Sequence, residues 1–161
     1  MCLRSSLLFC LLSFAAFAQT PRELMQQGQQ FFFEAKITES VAAFDKLLEL
    51  HPELKEQLWQ RGLSLYYADK FKEGREQFET HQNYNTSDVE NAAWHFLCVA
   101  RQSNIENARN HFIPITGDSR VPMKEVHQLF AGKGSAEAVL KAAEAGDEAD
   151  RRNQLCYAHL Y

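Results

Sequence analysis

The chain has 161 residues, of which 45% are hydrophobic and 24% charged, the balance of one folded domain rather than of a disordered or low-complexity chain. Its formal net charge is −4, so it lacks the basic excess that would hold a phosphate backbone, and nucleic acid is excluded as an expected partner.

Residues 1–18 read as a leader. Arg4 precedes an apolar run from Leu7 to Ala18, shorter than the about 20 residues a bilayer-spanning helix takes. The run closes on Ala16-Phe17-Ala18, the small-residue pattern that signal peptidase accepts. Cleavage after Ala18 then makes Gln19 the first residue of a secreted or periplasmic protein with no stable membrane insertion. A lipoprotein signal at Cys10 is disfavoured, because Phe9 is too bulky for the residue before it. Cys98 and Cys156 remain after the cut. Two cysteines make no disulfide framework, and both lie on apolar helical faces, so buried free thiols are expected.

Downstream, the punctuation is helical throughout. Pro21 suits a first helical turn, and Thr38 is the expected N-cap of the next helix. Pro52 ends that helix. Ser87-Asp88-Val89-Glu90 reads as a capping box, with Ser87 as N-cap and Glu90 reaching back. Pro114 stops another helix early. Helix pairs are expected at about 22–50, 55–82 and 88–113. Beyond Thr116 the pattern weakens. A short helix is expected within Pro122–Ala131, broken by Gly132-Lys133-Gly134. Ser135 then caps a helix to about Glu144, Gly146-Asp147 breaks it, and a last helix runs to Tyr161. No segment alternates as a strand would, so the expected fold is all-α.

An internal period governs these elements. Gly28 and Gly62 stand 34 residues apart, each followed by an aromatic-rich stretch, Phe31-Phe32-Phe33 and Leu65-Tyr66-Tyr67. The same offset relates Ile37, Phe71 and Ile105, then the small residues Ser40, Gly74 and Ala108, then Phe44, Phe78 and Phe112. In the third copy Phe96 stands where a glycine is expected.

At these residues the chain resembles the tetratricopeptide repeat family, whose unit is a 34-residue helix–turn–helix. The resemblance implies a solenoid, a right-handed α–α superhelix. Three units span about 21–54, 55–88 and 89–122, followed by an irregular helical segment over 123–161. The apolar end, Leu155 to Tyr161, reads either as the opening of an incomplete fourth unit or as a helix folded back to cap the third. The family also implies close helix approach at the small positions, with Phe44, Phe78 and Phe112 filling the grooves.

Motifs for chemistry are weak. Gly117-Asp118-Ser119 is similar to an esterase nucleophile block, but no strand precedes it. Gly132-Lys133-Gly134-Ser135 lacks phosphate-loop spacing, with His127 where the first glycine belongs. His95 and Cys98 share a helix face without further ligands. Asn85-Thr86-Ser87 is a glycosylation sequon in an inter-repeat loop. No catalytic residue, metal site or cofactor is assigned.

The resemblance places ligands along a concave face of the first, or A, helices. It carries that face to Arg22, Met25, Gln29, Phe32 and Phe33, then to Glu56, Trp59, Leu63, Tyr66 and Tyr67, then to Glu90, Ala93, Leu97, Ala100 and Arg101. Met25, Gln29, Phe32, Phe33, Trp59, Leu63, Tyr66, Tyr67, Leu97 and Arg101 are the candidate partner-binding residues, rich in the aromatic groups and Arg that dominate binding hot spots. Family members that clamp a C-terminal carboxylate carry Lys and Asn where this chain has Met25 and Gln29, which argues against such a clamp. The expected function is a non-catalytic scaffold or adaptor for a protein or peptide partner, similar to periplasmic tetratricopeptide adaptor lipoproteins but without their lipid signal. The alternative is a helical domain of an enzyme, with chemistry in 116–150 or beyond the C-terminus.

Overall fold

The computed structural model describes residues 19–145 and 147–161, so the expected leader and its cut after Ala18 lie outside the described residues. Among the described residues the fold is all-α, and its helices pack as neighbouring pairs in a helical-repeat arrangement. The first pair is α1 (Pro21–Phe33) and α2 (Ile37–Leu50), and the second is α3 (Trp59–Tyr67) and α4 (Phe71–His81). The third is α5 (Val89–Gln102) and α6 (Ile105–Asn110), followed by α7 (Met123–Phe130), α8 (Ala136–Ala143) and α9 (Glu148–Leu160). α3 touches both α1 and α5, while α2 packs on α3 and α4 on α5.

The sequence period is a packing period. A Cβ on Gly28 would stand 2.7 Å from Phe44 Cζ, and one on Gly62 would stand 2.6 Å from Phe78 Cζ. Only a glycine lets each buried ring lie directly on the backbone of the partner helix. The next small position repeats as well. Ser40 Oγ donates to the Gly28 carbonyl at 2.8 Å and shares a hydrogen bond of 2.8 Å with Ser64 Oγ. One period later, a Cβ on Gly74 would stand 3.5 Å from the Gly62 carbonyl oxygen and 3.0 Å from Cys98 Sγ.

The turns inside the first two pairs repeat too, and they correct one expected cap. Ala35 and Asp69 hold left-handed φ angles of 56° and 57°. Behind them the Lys36 N–H donates to the Phe31 carbonyl and the Lys70 N–H to the Leu65 carbonyl, the C-terminal helix stop of a Schellman turn. The reversal is so tight that α2 is already helical at Ile37, and Thr38 lies inside it rather than at its N-cap. At the start of α1, by contrast, Thr20 and Glu23 form a reciprocal capping box and Pro21 occupies the first turn.

The second unit starts later than position 55. Residues Pro52–Gln57 form a short 3₁₀ helix, and α3 begins only at Trp59. The cause is competition for carbonyls. Gln77 Nε2 donates to the Lys55 carbonyl at 2.8 Å, and His81 Nδ1 bonds the Glu56 carbonyl at 2.7 Å. Both α4 side chains are buried and occupy acceptors that an α-helix through this stretch would use.

The third unit departs further. Phe96 fills the space that a glycine leaves in the other two, so Phe112 cannot lie on α5 as Phe44 lies on α1. α6 instead ends at Asn110, well before Pro114, and Phe112 meets Phe96 edge-on with centroids 5.8 Å apart. Phe130 from α7 takes up the vacated contact, perpendicular to Phe96 at 5.1 Å. The 123–161 segment is therefore more regular than expected: α7, α8 and α9 enclose a core of Val89, Met123, Val126, Val139, Ala143 and Ala158. Ser135 and Asp147 cap α8 and α9. α9 packs back on α8, with Leu155, Tyr157 and Tyr161 against this core. Of the two cysteines among the described residues, Cys98 is a buried free thiol, whereas Cys156 is free but exposed on α9, contrary to expectation.

Candidate functional site

Aromatic side chains from α1, α3, α4 and α5 meet in one continuous run. Phe33 touches Phe32 edge-on, and Phe32 reaches across to Tyr67 on α3, with centroids 5.6 Å apart. Tyr67 packs on Tyr66, which in turn meets Trp94 of α5 at 5.2 Å and Phe71 of α4 at 5.5 Å. Arg101 ends the run, its guanidinium 4.4 Å from the Phe71 centroid and 3.3 Å from Asp69. Edge-to-face contacts hold these rings in fixed orientations. Parts of the run are nonetheless open to solvent, with Phe33 85% and Tyr67 55% exposed, and Trp59 nearby is 44% exposed. Between α1 and α3 lies an apolar groove of about 180 Å³, lined by Gln29, Phe32, Phe33, Phe44, Trp59, Gln60 and Leu63.

Several of the residues singled out from the sequence come together here. Gln29, Phe32, Phe33, Trp59 and Leu63 border the groove, and Tyr66, Tyr67 and Arg101 belong to the aromatic run. Met25 and Leu97 belong to neither feature. Met25 packs against the core of Leu24, Phe44, Leu47 and Leu58, and Leu97 packs against Phe96, Val99 and Ala108. Trp94 was missed, because its repeat equivalents, Gln26 and Gln60, are polar. A reading of α5 alone would have found it, since Glu90, Trp94, Leu97 and Arg101 follow one helical stripe.

A charged cluster borders the α5 end of the face. The expected capping box does not form around Ser87. Asp88 caps α5 by accepting the Glu90 N–H at 3.0 Å, while Ser87 Oγ donates to the Thr116 carbonyl at 3.4 Å. The Glu90 carboxylate is drawn away from the helix start by Arg120 and by Tyr161, whose hydroxyl donates to Glu90 Oε1 at 2.9 Å. Arg120 also bonds Asp88 at 2.8 Å and Asp118 at 2.7 Å. Asp118 further accepts the Val89 N–H at 3.1 Å, so the Gly117-Asp118-Ser119 turn ties the chain after α6 to the start of α5.

The electrostatics of this tie have a sign. Burial works against the Asp118 charge, but hydrogen bonds from the Arg120 side chain and from the Val89 and Arg120 backbone outweigh it, and its pKa falls below the ordinary value. A depressed carboxylate stabilises the fold above its unfolded pKa of about 4 and loses that contribution as pH falls through the folded value. Arg120→Gln is therefore expected to lower stability by about 1 kcal/mol at neutral pH, a modest figure because Arg120 is partly exposed. Urea unfolding at pH 7 and pH 3 checks this. The difference from the parent should shrink at pH 3, and a pH-independent difference would assign the effect to packing.

Other polar groups have structural surroundings. His95 is buried, its Nε2 3.1 Å from Glu79; burial lowers its pKa despite that carboxylate. Burial pushes the Cys98 thiol up to about 12, so it is protonated at neutral pH. No group of three or more His, Cys, Asp or Glu side chains among the described residues converges as metal ligands would. No helix among them is long and apolar enough to cross a membrane. Comparisons with protein-family models, curated proteins and solved structures give no match to this chain.

Proposed function

We propose that the chain is a tetratricopeptide-type scaffold that binds a partly apolar peptide segment of a partner protein along α1, α3 and α5, with no chemistry of its own. One observation carries the reading: an aromatic surface, ordered by its own edge-to-face contacts, is left uncovered across adjacent units. Rigid aromatic groups lose little entropy on binding and contribute large contact areas, which is why they dominate binding hot spots. The adjoining groove accepts a side chain of aliphatic or aromatic size. The Gly28–Phe44 and Gly62–Phe78 contacts support the repeat assignment, because they recur at the family period.

Selection from a displayed library of random peptides tests the reading directly. Peptides carrying aromatic or branched apolar residues are expected. For a selected peptide, joint replacement of Phe33 and Tyr67 by alanine should weaken binding by roughly 1–3 kcal/mol. Both side chains are exposed, so helicity and unfolding midpoint should stay at parent values. Parent-level affinity in the double variant would count against the face.

A further inference from the structure

Beside the aromatic face, between α3 and the start of α5, lies a cleft of about 250 Å³ whose chemistry differs from that of the groove. Its walls include Trp59, Trp94, Asp88, Glu90, Asn91 and Arg120. Two features of this cleft favour a cation. The carboxylates of Asp88, Glu90 and the adjoining Asp118 face a single guanidinium, that of Arg120, so negative charge is left in excess. Two indoles, those of Trp59 and Trp94, line it, and indole rings attract cations through their quadrupoles.

Trp59 lines both this cleft and the apolar groove. A peptide crossing that indole would have an apolar side chain on one flank and a second side chain over the acidic cleft on the other. We propose that the cleft takes the basic side chain, arginine or lysine, of the peptide bound by the aromatic face, an inference that rests on that face being a peptide site. The ligand class is then an apolar residue followed within a short stretch by a basic one.

The chain's two tryptophans both line the cleft, so their indole N–H signals report on it by NMR. The probes are N-acetyl-arginine amide, N-acetyl-lysine amide and the uncharged N-acetyl-citrulline amide. Saturable shifts are expected for the two cations, with citrulline about tenfold weaker and cation affinity falling as salt rises. Asp88→Asn keeps the α5 N-cap, because asparagine caps as well as aspartate, and removes one charge. It should weaken the cationic probes about threefold and leave citrulline unchanged. Equal binding of citrulline and arginine amides, or no response to salt and to Asp88→Asn, would overturn the assignment. The last arm compares a library-selected peptide with its twin lacking the basic residue. A twin that binds equally well overturns the cleft inference and leaves the face intact. Saturation by the amides with no peptide binding at all overturns the peptide source and the face together.

Discussion

Gly62→Leu is expected to destabilise the fold by about 3 kcal/mol, the upper end for overpacking, and to lower the melting temperature by roughly 10 °C in a chain of this size. The first atom added is enough to cause a clash: a Cβ would stand 2.6 Å from Phe78 Cζ and 2.7 Å from its Cε1. The Phe78 ring is 1% exposed, so it gives way only by disturbing its packed neighbours. For this reason Gly62→Ala should also destabilise, even though alanine is favoured over glycine by about 1 kcal/mol within a helix. The sequence alone leaves that sign open, because propensity and clash oppose each other. Urea unfolding followed by circular dichroism decides it. Combining Gly62→Ala with Phe78→Leu should recover part of the loss, since the pair shares one contact. A Gly62→Ala variant more stable than the parent would mean that α3 and α4 do not approach at this point.

The second large effect is expected at Phe44. Its ring is 0% exposed, lies on Gly28 and packs with Leu24, Leu47 and Leu58. Phe44→Ala should lower stability by about 3–5 kcal/mol, the lost transfer energy plus the cavity left behind. Phe33→Ala, only eleven positions away in sequence but 85% exposed, should change it by less than about 0.5 kcal/mol. In a repeat architecture the damage should also be local. Amide hydrogen exchange in the Phe44→Ala variant is expected to rise most in α1 and α2, while α5 and α7 keep their protection. Uniform loss of protection would show that the units unfold as one block.

The proposed face has an unequal origin. Its groove comes from residues that the repeat places directly: Phe32 and Phe33 on α1, and Trp59 and Leu63 on α3. The acidic cleft comes from a return of the chain. Arg120 and Tyr161 lie 30 and 71 positions from Glu90, yet both bond its carboxylate. Repeat logic reads one unit against the next and is blind to such a return. The cleft is therefore the part of the site that a family-based reading would omit.

What the sequence determined was carried by periodicity. The 34-residue offset marked Gly28 and Gly62 as positions of close approach and Phe44 and Phe78 as bulky fillers, and the tertiary structure then seats each ring on the glycine of its own pair. Helix starts at Pro21 and Ser135 were legible because their caps are local and need only neighbouring residues. Tertiary structure decided the rest. α3 starts at Trp59 because Gln77 and His81, from another helix, occupy the Lys55 and Glu56 carbonyls. Ser87 lost the N-cap to Asp88 because Arg120 and Tyr161 draw Glu90 away from a reciprocal box. Phe112 and α6 depart from the pattern because Phe96 fills the space that a glycine would have left, and Phe130 of α7 completes the contact. Each of these outcomes turns on a competition between a local preference and a partner distant in sequence. A reading of one segment at a time contains only the first competitor.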